Sequence, residues 1–200
     1  MALRCRAAKP RGRRSLFLLV GRRGKLHVLC SERVEMIDAH AEVVAQMLLG
    51  CCEERAPIFL KALVGDPEAL VQGELLAPLT AELLVLALHL TDRTVFGRFG
   101  ADARSTFMDE LLPLVRSKLI SPLEEKFPDL YNTRTGFYGS FQKAVPGKNE
   151  NLKGTLLWEF GKALSAVYAN SNPAAVMQSS IDGMDFMITI NQLLAKAKVI

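Results

Sequence analysis

The 200-residue chain is half hydrophobic and only 7% aromatic, which is enough apolar material to close one hydrophobic core and excludes a wholly disordered protein. Its net charge of +4 is unevenly distributed. Residues 1–35 carry ten basic and two acidic side chains, whereas residues 36–200 carry 15 basic and 19 acidic ones. A basic surface for a polyanionic partner is therefore expected only near the N-terminus, and the body has the mild acidity of a cytoplasmic domain.

Residues 1–31 form a basic N-terminal segment, separate from a helical domain predicted over residues 32–200. The apolar run at residues 15–20 is too short for a secretory signal. Three interpretations of the segment remain. It is a solvated basic arm or leader, an organelle transit peptide, or a short β-hairpin over residues 15–30, in which two apolar runs flank a Gly-Arg-Arg-Gly turn.

The first helix is predicted to begin near Ser31, a suitable N-cap, because apolar residues then recur every three or four positions. These residues are Val34, Ile37, Ala41, Val44 and Leu48. The helical pattern resumes over residues 51–64 around Pro57, and Gly65 with Pro67 breaks it. Asp66 is then expected to cap a second helix.

Residues 79–99 are the most apolar segment and predict the central helix of the fold. Every position from 83 to 90 except His89 is leucine, valine or alanine, so this helix should be buried on all sides. The segment is not a membrane span, because a span needs roughly 18 uncharged apolar residues. Polar and charged side chains interrupt it at Glu82, His89, Asp92, Arg93 and Arg98.

The middle of the chain is divided by glycine and proline. Gly100 is expected to end the central helix, and Asp102 to cap a helix that runs to about Phe127. Pro113 and Pro122 should kink or divide this helix, because a proline removes one backbone donor and clashes with the preceding turn.

The C-terminal third contains the last predicted helices. A short aromatic helix is expected at 130–144, a polar loop at 146–151, and further helices at 152–170 and from Asn172 to about Ala197. The predicted fold class is therefore all-α, a single-domain bundle of about seven helices around the central helix.

No motif of a known chemistry is present. Gly147 and Lys148 supply only the Gly-Lys pair of a phosphate-binding loop, because Gln142 and Asn149 occupy the positions that need glycine and serine or threonine. No Glu-x-x-His, Gly-x-Ser-x-Gly or His-Glu-x-x-His sequence occurs. The sequence thus favours a protein that is not an enzyme and assigns no cofactor.

The cysteines and histidines lack the spacing of a metal site. The four cysteines contain no Cys-x-x-Cys pair, and the three histidines are widely separated. Adjacent Cys51 and Cys52 allow a vicinal disulfide, but buried thiols that act as small apolar side chains are the commoner case. We expect a reducing, cytoplasmic environment.

Two polar clusters are candidates for a ligand site. His89, Asp92 and Arg93 project from the central helix, and His89 and Asp92 are three positions apart on one face. Such a pair is more often part of an internal hydrogen-bond network than of a ligand site.

The second cluster, Tyr131, Arg134 and Tyr138, occupies one face of the aromatic helix. Arg134 is expected to lie against the tyrosine rings and to meet Asp92 or Glu110 from another helix. If both clusters converge on one cavity, they predict a pocket for a small molecule or lipid.

The last helix carries an apolar stripe that includes several methionines. Its members are Met177, Ile181, Met184 and Ile188, with Met187, Ile190 and Leu194 beside them. A core face is the commoner explanation, and an adaptable partner-binding surface is the alternative. Asn191 lies on the same stripe and is suited to setting the register of a helix pair in a homodimer.

Three functions follow as hypotheses. The leading one is a helical interaction or oligomerisation protein that binds a second copy or another protein. The alternative is a small-molecule or lipid binder that uses His89, Asp92, Arg93 and Arg134. The third gives residues 1–31 a role as a basic arm that binds nucleic acid or an anionic membrane surface.

Overall fold

The computed structural model of the protein describes residues 23–64, 73–121, 123–148, 150–168 and 172–200, and within these ranges it contains six helices and no strand. The helices are α1 (Arg23–Val64), α2 (Gly73–Phe99), α3 (Ala101–Ser117), α4 (Leu123–Gly139), α5 (Leu156–Val167) and α6 (Pro173–Lys196). The chain comprises two compact units, Met1–Met36 and Ile37–Ile200, and every site residue predicted above belongs to the second.

Helix α2 is the centre of the core. All residues from Ala81 to Asp92 are buried, because leucine, valine and alanine occupy nearly every side of the helix there. Helices α3, α4, α5 and α6 all contact it. The prediction of a central apolar helix is thus confirmed, although the helix begins earlier than expected, at Gly73.

The contacts between helices define their directions. Helices α2 and α4 run the same way, since rising numbers are paired: Glu82 with Arg134, His89 with Tyr138, and Arg93 with Phe141. The second half of α1 runs opposite to α6, since rising numbers meet falling ones: His40 with Ala197, Arg55 with Thr189, and Phe59 with Phe186. Residues far apart in the sequence thereby enclose one core.

Helices α5 and α6 approach each other most closely at a glycine. A Cβ atom added at Gly161 would lie 2.7 Å from the carbonyl oxygen of Val176 and 2.5 Å from Ser180 Oγ. The facing surface of α6 includes two small residues, Ser180 and Gly183, both of which are buried. Small residues on both sides therefore set the separation of this pair.

Both helices of this pair begin at N-caps. The Thr155 hydroxyl accepts a hydrogen bond from Trp158 N at 3.3 Å, and the Asn172 side chain accepts one from Ala174 N at 2.9 Å. Pro173 occupies the first turn of α6, where its missing N–H costs nothing. The start predicted for the last helix at Asn172 is confirmed.

The N-terminal boundary differs from the prediction. Helix α1 begins at Arg23, so Ser31 is not its N-cap, and residues 25–30, the second run of the predicted hairpin, are helical. The first run, together with the rest of residues 1–22, lies outside the described residues, as does the cap predicted at Asp66. The hairpin is therefore not confirmed.

The segment from Asp102 to Phe127 is divided before Leu123, as expected at Pro122, so that α3 and α4 are separate helices. The segment predicted as a separate helix at 130–144 is the second half of α4. The described ranges therefore contain six helices and not the seven expected. The N-cap of α3 is Gly100, and Asp102 lies in the first turn. Gly100 has a φ of 84°, a left-handed conformation that glycine adopts without strain and that lets one residue join α2 to α3.

Four prolines lie inside helices without ending them: Pro57, Pro78, Pro113 and Pro128. An interior proline costs about 3 kcal/mol in an isolated helix. Buried neighbours such as Phe59, Leu111 and Phe127 anchor these turns in the core and offset that cost. Helix α3 is thus not divided at Pro113, one of the two outcomes expected there, because burial of adjacent side chains outweighs local preference. None of the described helices has the length and apolar run needed to cross a bilayer.

Candidate functional site

A buried ion pair joins α2 to α4. Arg134 donates three hydrogen bonds of 2.7–3.1 Å to the two carboxylate oxygens of Glu82, whose side chain is only 4% exposed. These hydrogen bonds raise the pKa of Arg134 above its ordinary value. The planar guanidinium matches the geometry of the carboxylate. This pairing compensates the negative charge of Glu82, which lies in an otherwise apolar helix.

His89 and Tyr138 pack ring against ring beside this pair, with centroids 5.7 Å apart. Both side chains are buried, and neither the His89 nitrogens nor the Tyr138 hydroxyl has a hydrogen-bond partner among the described residues. Burial lowers the pKa of His89 to about 4; Arg93 adds to this effect and Asp92 opposes it. Burial likewise raises the pKa of Tyr138, so both rings are uncharged at neutral pH.

The predicted pair between His89 and Asp92 does not form. Asp92 lies at the edge of α2 nearest α3, where it accepts a hydrogen bond from Arg104. Arg93 donates to two consecutive carbonyl oxygens just beyond α4, at 2.9 and 2.7 Å. Neighbouring helices therefore bind the charged groups of this cluster, and the ring of His89 is left against Tyr138.

Tyr131 completes the network on the side of α3. Its ring stacks on Phe127 with centroids 6.1 Å apart. Burial and the charge of Asp92 raise the pKa of its hydroxyl, while Arg104 opposes the effect. Tyr131 thus links the aromatic face of α4 to the second arginine–carboxylate pair.

Both predicted clusters meet at the interface of α2 and α4. An open cavity of 510 Å³ lies beside that interface, between α3 and α4, and Tyr131 lines it. The other predicted ligand residues do not belong to its lining: His89, Asp92, Arg93, Arg134 and Tyr138. A ligand site at these residues stays a prediction, and the contacts observed are those of an internal polar network.

Sequence reasoning missed two members of this network, Glu82 and Arg104. Arg134 meets Glu82 and not Asp92 or Glu110 as expected. A signal existed, because Glu82 is the one acidic residue between Ala81 and Thr91 of the apolar helix, and a buried charge requires a partner. Whether Glu82 lies opposite Arg134 depends on how α2 and α4 align, and no local sequence pattern specifies that alignment.

The terminal helix α6 presents two apolar faces of different exposure. Phe186, Ile190 and Leu194 are buried. A second face, which we call the α6 stripe, consists of Met177, Ile181, Met184 and Ile188. Three of its members are well exposed, Met177 by 44%, Ile181 by 40% and Ile188 by 51%. The interpretation as a core face is therefore wrong for these three, while Met184 is half-buried and packs against the core.

The neighbours of the α6 stripe are also accessible. Asn191 is exposed and its side-chain oxygen accepts a hydrogen bond from the Thr94 hydroxyl at 3.3 Å. Met187 is half-buried and packs against the core. The predicted interaction residues thus divide between the stripe, its polar continuation at Asn191 and the margin of the core.

The adjacent thiols Cys51 and Cys52 are buried and free. Burial raises the pKa of both, and it does so most strongly for Cys52. Their interpretation as small apolar core residues is confirmed. Over the described ranges, no three histidine, cysteine or acidic side chains come close enough together to hold a metal ion.

No protein-family model matches this chain, and neither a curated protein nor a solved structure matches it. The function proposed below is therefore inferred from the chain's own residues and their geometry in an all-helical bundle.

Proposed function

We propose that this protein is an interaction protein that self-associates through the α6 stripe. The observation that carries the proposal is that three large apolar side chains of the stripe, Met177, Ile181 and Ile188, are exposed on a helix whose other side carries the buried Phe186, Ile190 and Leu194. Isolated exposed apolar residues are ordinary on protein surfaces, but a contiguous line of them is typical of an interface.

The spacing of the α6 stripe is that of a helix-pairing seam. Its four members and two following positions, Asn191 and Ala195, are separated alternately by four and three residues. All six positions are exposed or half-buried. A seam with this 3.5-residue period packs against another helix by inserting each side chain between four side chains of the partner.

The composition of the stripe fits a second copy in parallel orientation. Isoleucine occupies one set of seam positions and methionine the other, and Asn191 supplies one polar layer, which in a parallel pair meets its own equivalent. Asp185, which borders the seam, would face its equivalent across an antiparallel pair but not across a parallel one. Repulsion between like charges therefore favours the parallel arrangement.

Sedimentation equilibrium over a range of concentrations tests the proposal. We expect the wild-type chain to dimerise and Ile181→Glu/Ile188→Glu to be monomeric, because two carboxylates would be buried in the seam. Ile120→Glu is the matched control, since Ile120 is 79% exposed and lies between α3 and α4, away from the stripe. A monomeric wild type, or dimers that survive the stripe substitution, would contradict self-association through this face.

Oxidative cross-linking tests the orientation. In a parallel pair Asn191 lies opposite Asn191 of the second copy, so Asn191→Cys should form a disulfide-linked dimer well above the background from the native cysteines. Gln178→Cys, exposed but beside the seam, is the control. Equal cross-linking of both variants would exclude the parallel register. Whether a dimer forms at all is measured by sedimentation equilibrium.

A further inference from the structure

Exposed phenylalanines cluster at the end of the bundle where α2 passes into α3. Phe96 and Phe99, in the last turns of α2, are 55% and 51% exposed, and Phe137, near the end of α4, is 41% exposed. The hydrogen bonds from Arg93 to the carbonyls beyond α4 join these two helix ends. The three aromatic side chains therefore belong to the same end of the molecule.

Three cations without acidic partners lie on the same segments of the chain. The Arg98 guanidinium lies 6.0 Å from the centroid of the Phe99 ring, and Lys148 and Lys153 are exposed on the segment that follows α4. None of the three forms an ion pair with another described residue. We call the six residues the aromatic corner: Phe96, Phe99, Phe137, Arg98, Lys148 and Lys153.

The charge of this end differs in sign from that of the rest of the body. Residues 92–104 and 137–154 together carry six basic and three acidic side chains. The whole of residues 36–200 carries an excess of acidic side chains, so the basic residues of the body are concentrated at this end. Such a patch attracts a polyanionic surface.

The two phenylalanines of α2 lie beside its junction with the next helix. Helices α2 and α3 meet at the single residue Gly100, and Phe96 and Phe99 are exposed in the last turn of α2 before it. The cavity described above is lined by residues nearer the other end of α3, including Leu112 and Arg116. The corner therefore offers exposed rings with a cation beside one of them, away from that cavity.

We propose that the aromatic corner docks on the surface of an anionic phospholipid bilayer. The phenylalanine side chains enter the boundary between headgroups and acyl chains, while Arg98, Lys148 and Lys153 contact the headgroup phosphates and carboxylates. This surface is separate from the α6 stripe and from residues 1–31.

A bilayer suits the corner better than a nucleic acid or an acidic peptide. Single-stranded nucleic acids bind to aromatic rings arranged as stacking platforms along a basic groove, and peptides bind in grooves with side-chain pockets. A bilayer requires no shape complementarity. It accommodates rings that project in different directions, provided that basic residues lie at the same depth.

Vesicle sedimentation with the full chain tests the proposal. We expect the protein to bind vesicles of phosphatidylcholine with phosphatidylserine and to bind pure phosphatidylcholine poorly. Phe96→Ser/Phe99→Ser should weaken binding to the anionic vesicles roughly ten-fold, because two apolar anchors are lost. Both side chains are exposed in the fold, so circular dichroism should show unchanged folding.

Ile120→Ser is the matched control, because it removes an exposed apolar side chain outside the corner and should leave binding unchanged. The basic N-terminal segment could bind anionic vesicles by charge alone. In that case the phenylalanine substitutions would have no effect, and this result would overturn the proposal. Loss of binding to single-stranded RNA but not to vesicles would overturn it in favour of nucleic acid.

Trp158 provides an independent readout of orientation. It is the chain's single tryptophan, and the ammonium of Lys153 lies 5.9 Å from its ring, so it reports from the same end as the corner. We expect lipids that carry a spin label at the headgroup to quench its fluorescence in the wild type and less in Phe96→Ser/Phe99→Ser. Vesicle binding without such quenching would also contradict docking through this surface.

Discussion

At the scale of single residues, α2 holds two arginine–carboxylate pairs that differ in exposure. Glu82 is enclosed by the core and Arg134 covers it, whereas Arg104, which pairs with Asp92, is 41% exposed. The Asp92 side chain is 12% exposed, so solvent can partly replace a partner lost at the second pair, whereas Glu82 at the first pair is almost wholly enclosed. The same chemical contact should therefore have different energetic weight at the two positions.

Replacing the two arginines compares these weights directly. Arg134→Leu should lower the free energy of unfolding by about 3–5 kcal/mol, because it leaves the Glu82 carboxylate buried without a partner. Arg104→Leu, the comparison, should cost less than Arg134→Leu, because Arg104 is the more exposed arginine and Asp92 keeps some contact with water. Chemical denaturation measures both. In Glu82→Leu/Arg134→Leu most of the loss should be recovered, and a double variant as unstable as Arg134→Leu would show that the buried charge is not the cause.

His89 should make stability depend on pH. Its folded pKa of about 4 lies below the ordinary 6.5, so between these values the unfolded chain binds a proton that the folded chain does not. The contribution of His89 to the free energy of unfolding is therefore fully present above pH 6.5 and decreases as the pH falls towards 4.

Between pH 7 and 4.5 the free energy of unfolding of the wild type should fall by roughly 2 kcal/mol more than that of His89→Phe. Parallel pH profiles of the two proteins would contradict this assignment. The groups that face His89 are Arg93 and Asp92 on α2 and Tyr138 on α4.

The arginine partners also show what residue-level reasoning could anticipate. The face shared by Tyr131, Arg134 and Tyr138 follows from helical spacing alone. The partner of Arg134 does not, because moving α4 along α2 by two or three turns would exchange Glu82 for Asp92. That alignment is decided by the packing of whole helices.

At the scale of elements, α6 shows why apolar content does not identify every buried face. The apolar face with Phe186, Ile190 and Leu194 is buried, as hydrophobicity predicts. Ser180 and Gly183 are also buried and lie against α5, whereas three large apolar members of the α6 stripe are exposed. Small residues allow two helix backbones to approach closely, and a ranking of faces by hydrophobicity misses such a contact.

Two glycine substitutions test this close approach. Gly161→Ala should destabilise the protein by about 1–2 kcal/mol, because the added methyl group meets the Val176 carbonyl and forces α5 from α6. Gly136→Ala is the matched control: it is also helical, nothing lies within 4 Å of the added atom, and alanine should stabilise α4 by up to about 1 kcal/mol. Thermal and chemical denaturation should shift in opposite directions for the two variants. Shifts of the same sign would contradict the packing argument.

At the scale of the whole molecule, the α6 stripe and the aromatic corner are independent surfaces. Ile181→Glu/Ile188→Glu should abolish dimers, and Phe96→Ser/Phe99→Ser should leave them intact. Because a dimer stabilises the folded state by mass action, the melting temperature of the wild type should rise with protein concentration and that of the stripe variant should not. A vesicle that presents many lipids also binds a dimer more tightly than a monomer, since two corners engage together.

The sequence by itself determined the helical class, the central apolar helix, the start of the last helix at Asn172 and the period of the α6 stripe. Each of these depends on residues close in the chain, whose spacing and capping chemistry act locally. Only the tertiary structure decided that α3 continues through Pro113, that Arg134 meets Glu82, and that Ser180 and Gly183 of α6 lie close against α5. These outcomes depend on how helices distant in sequence align and how closely they approach, and burial energy between them outweighs the preference of any single residue.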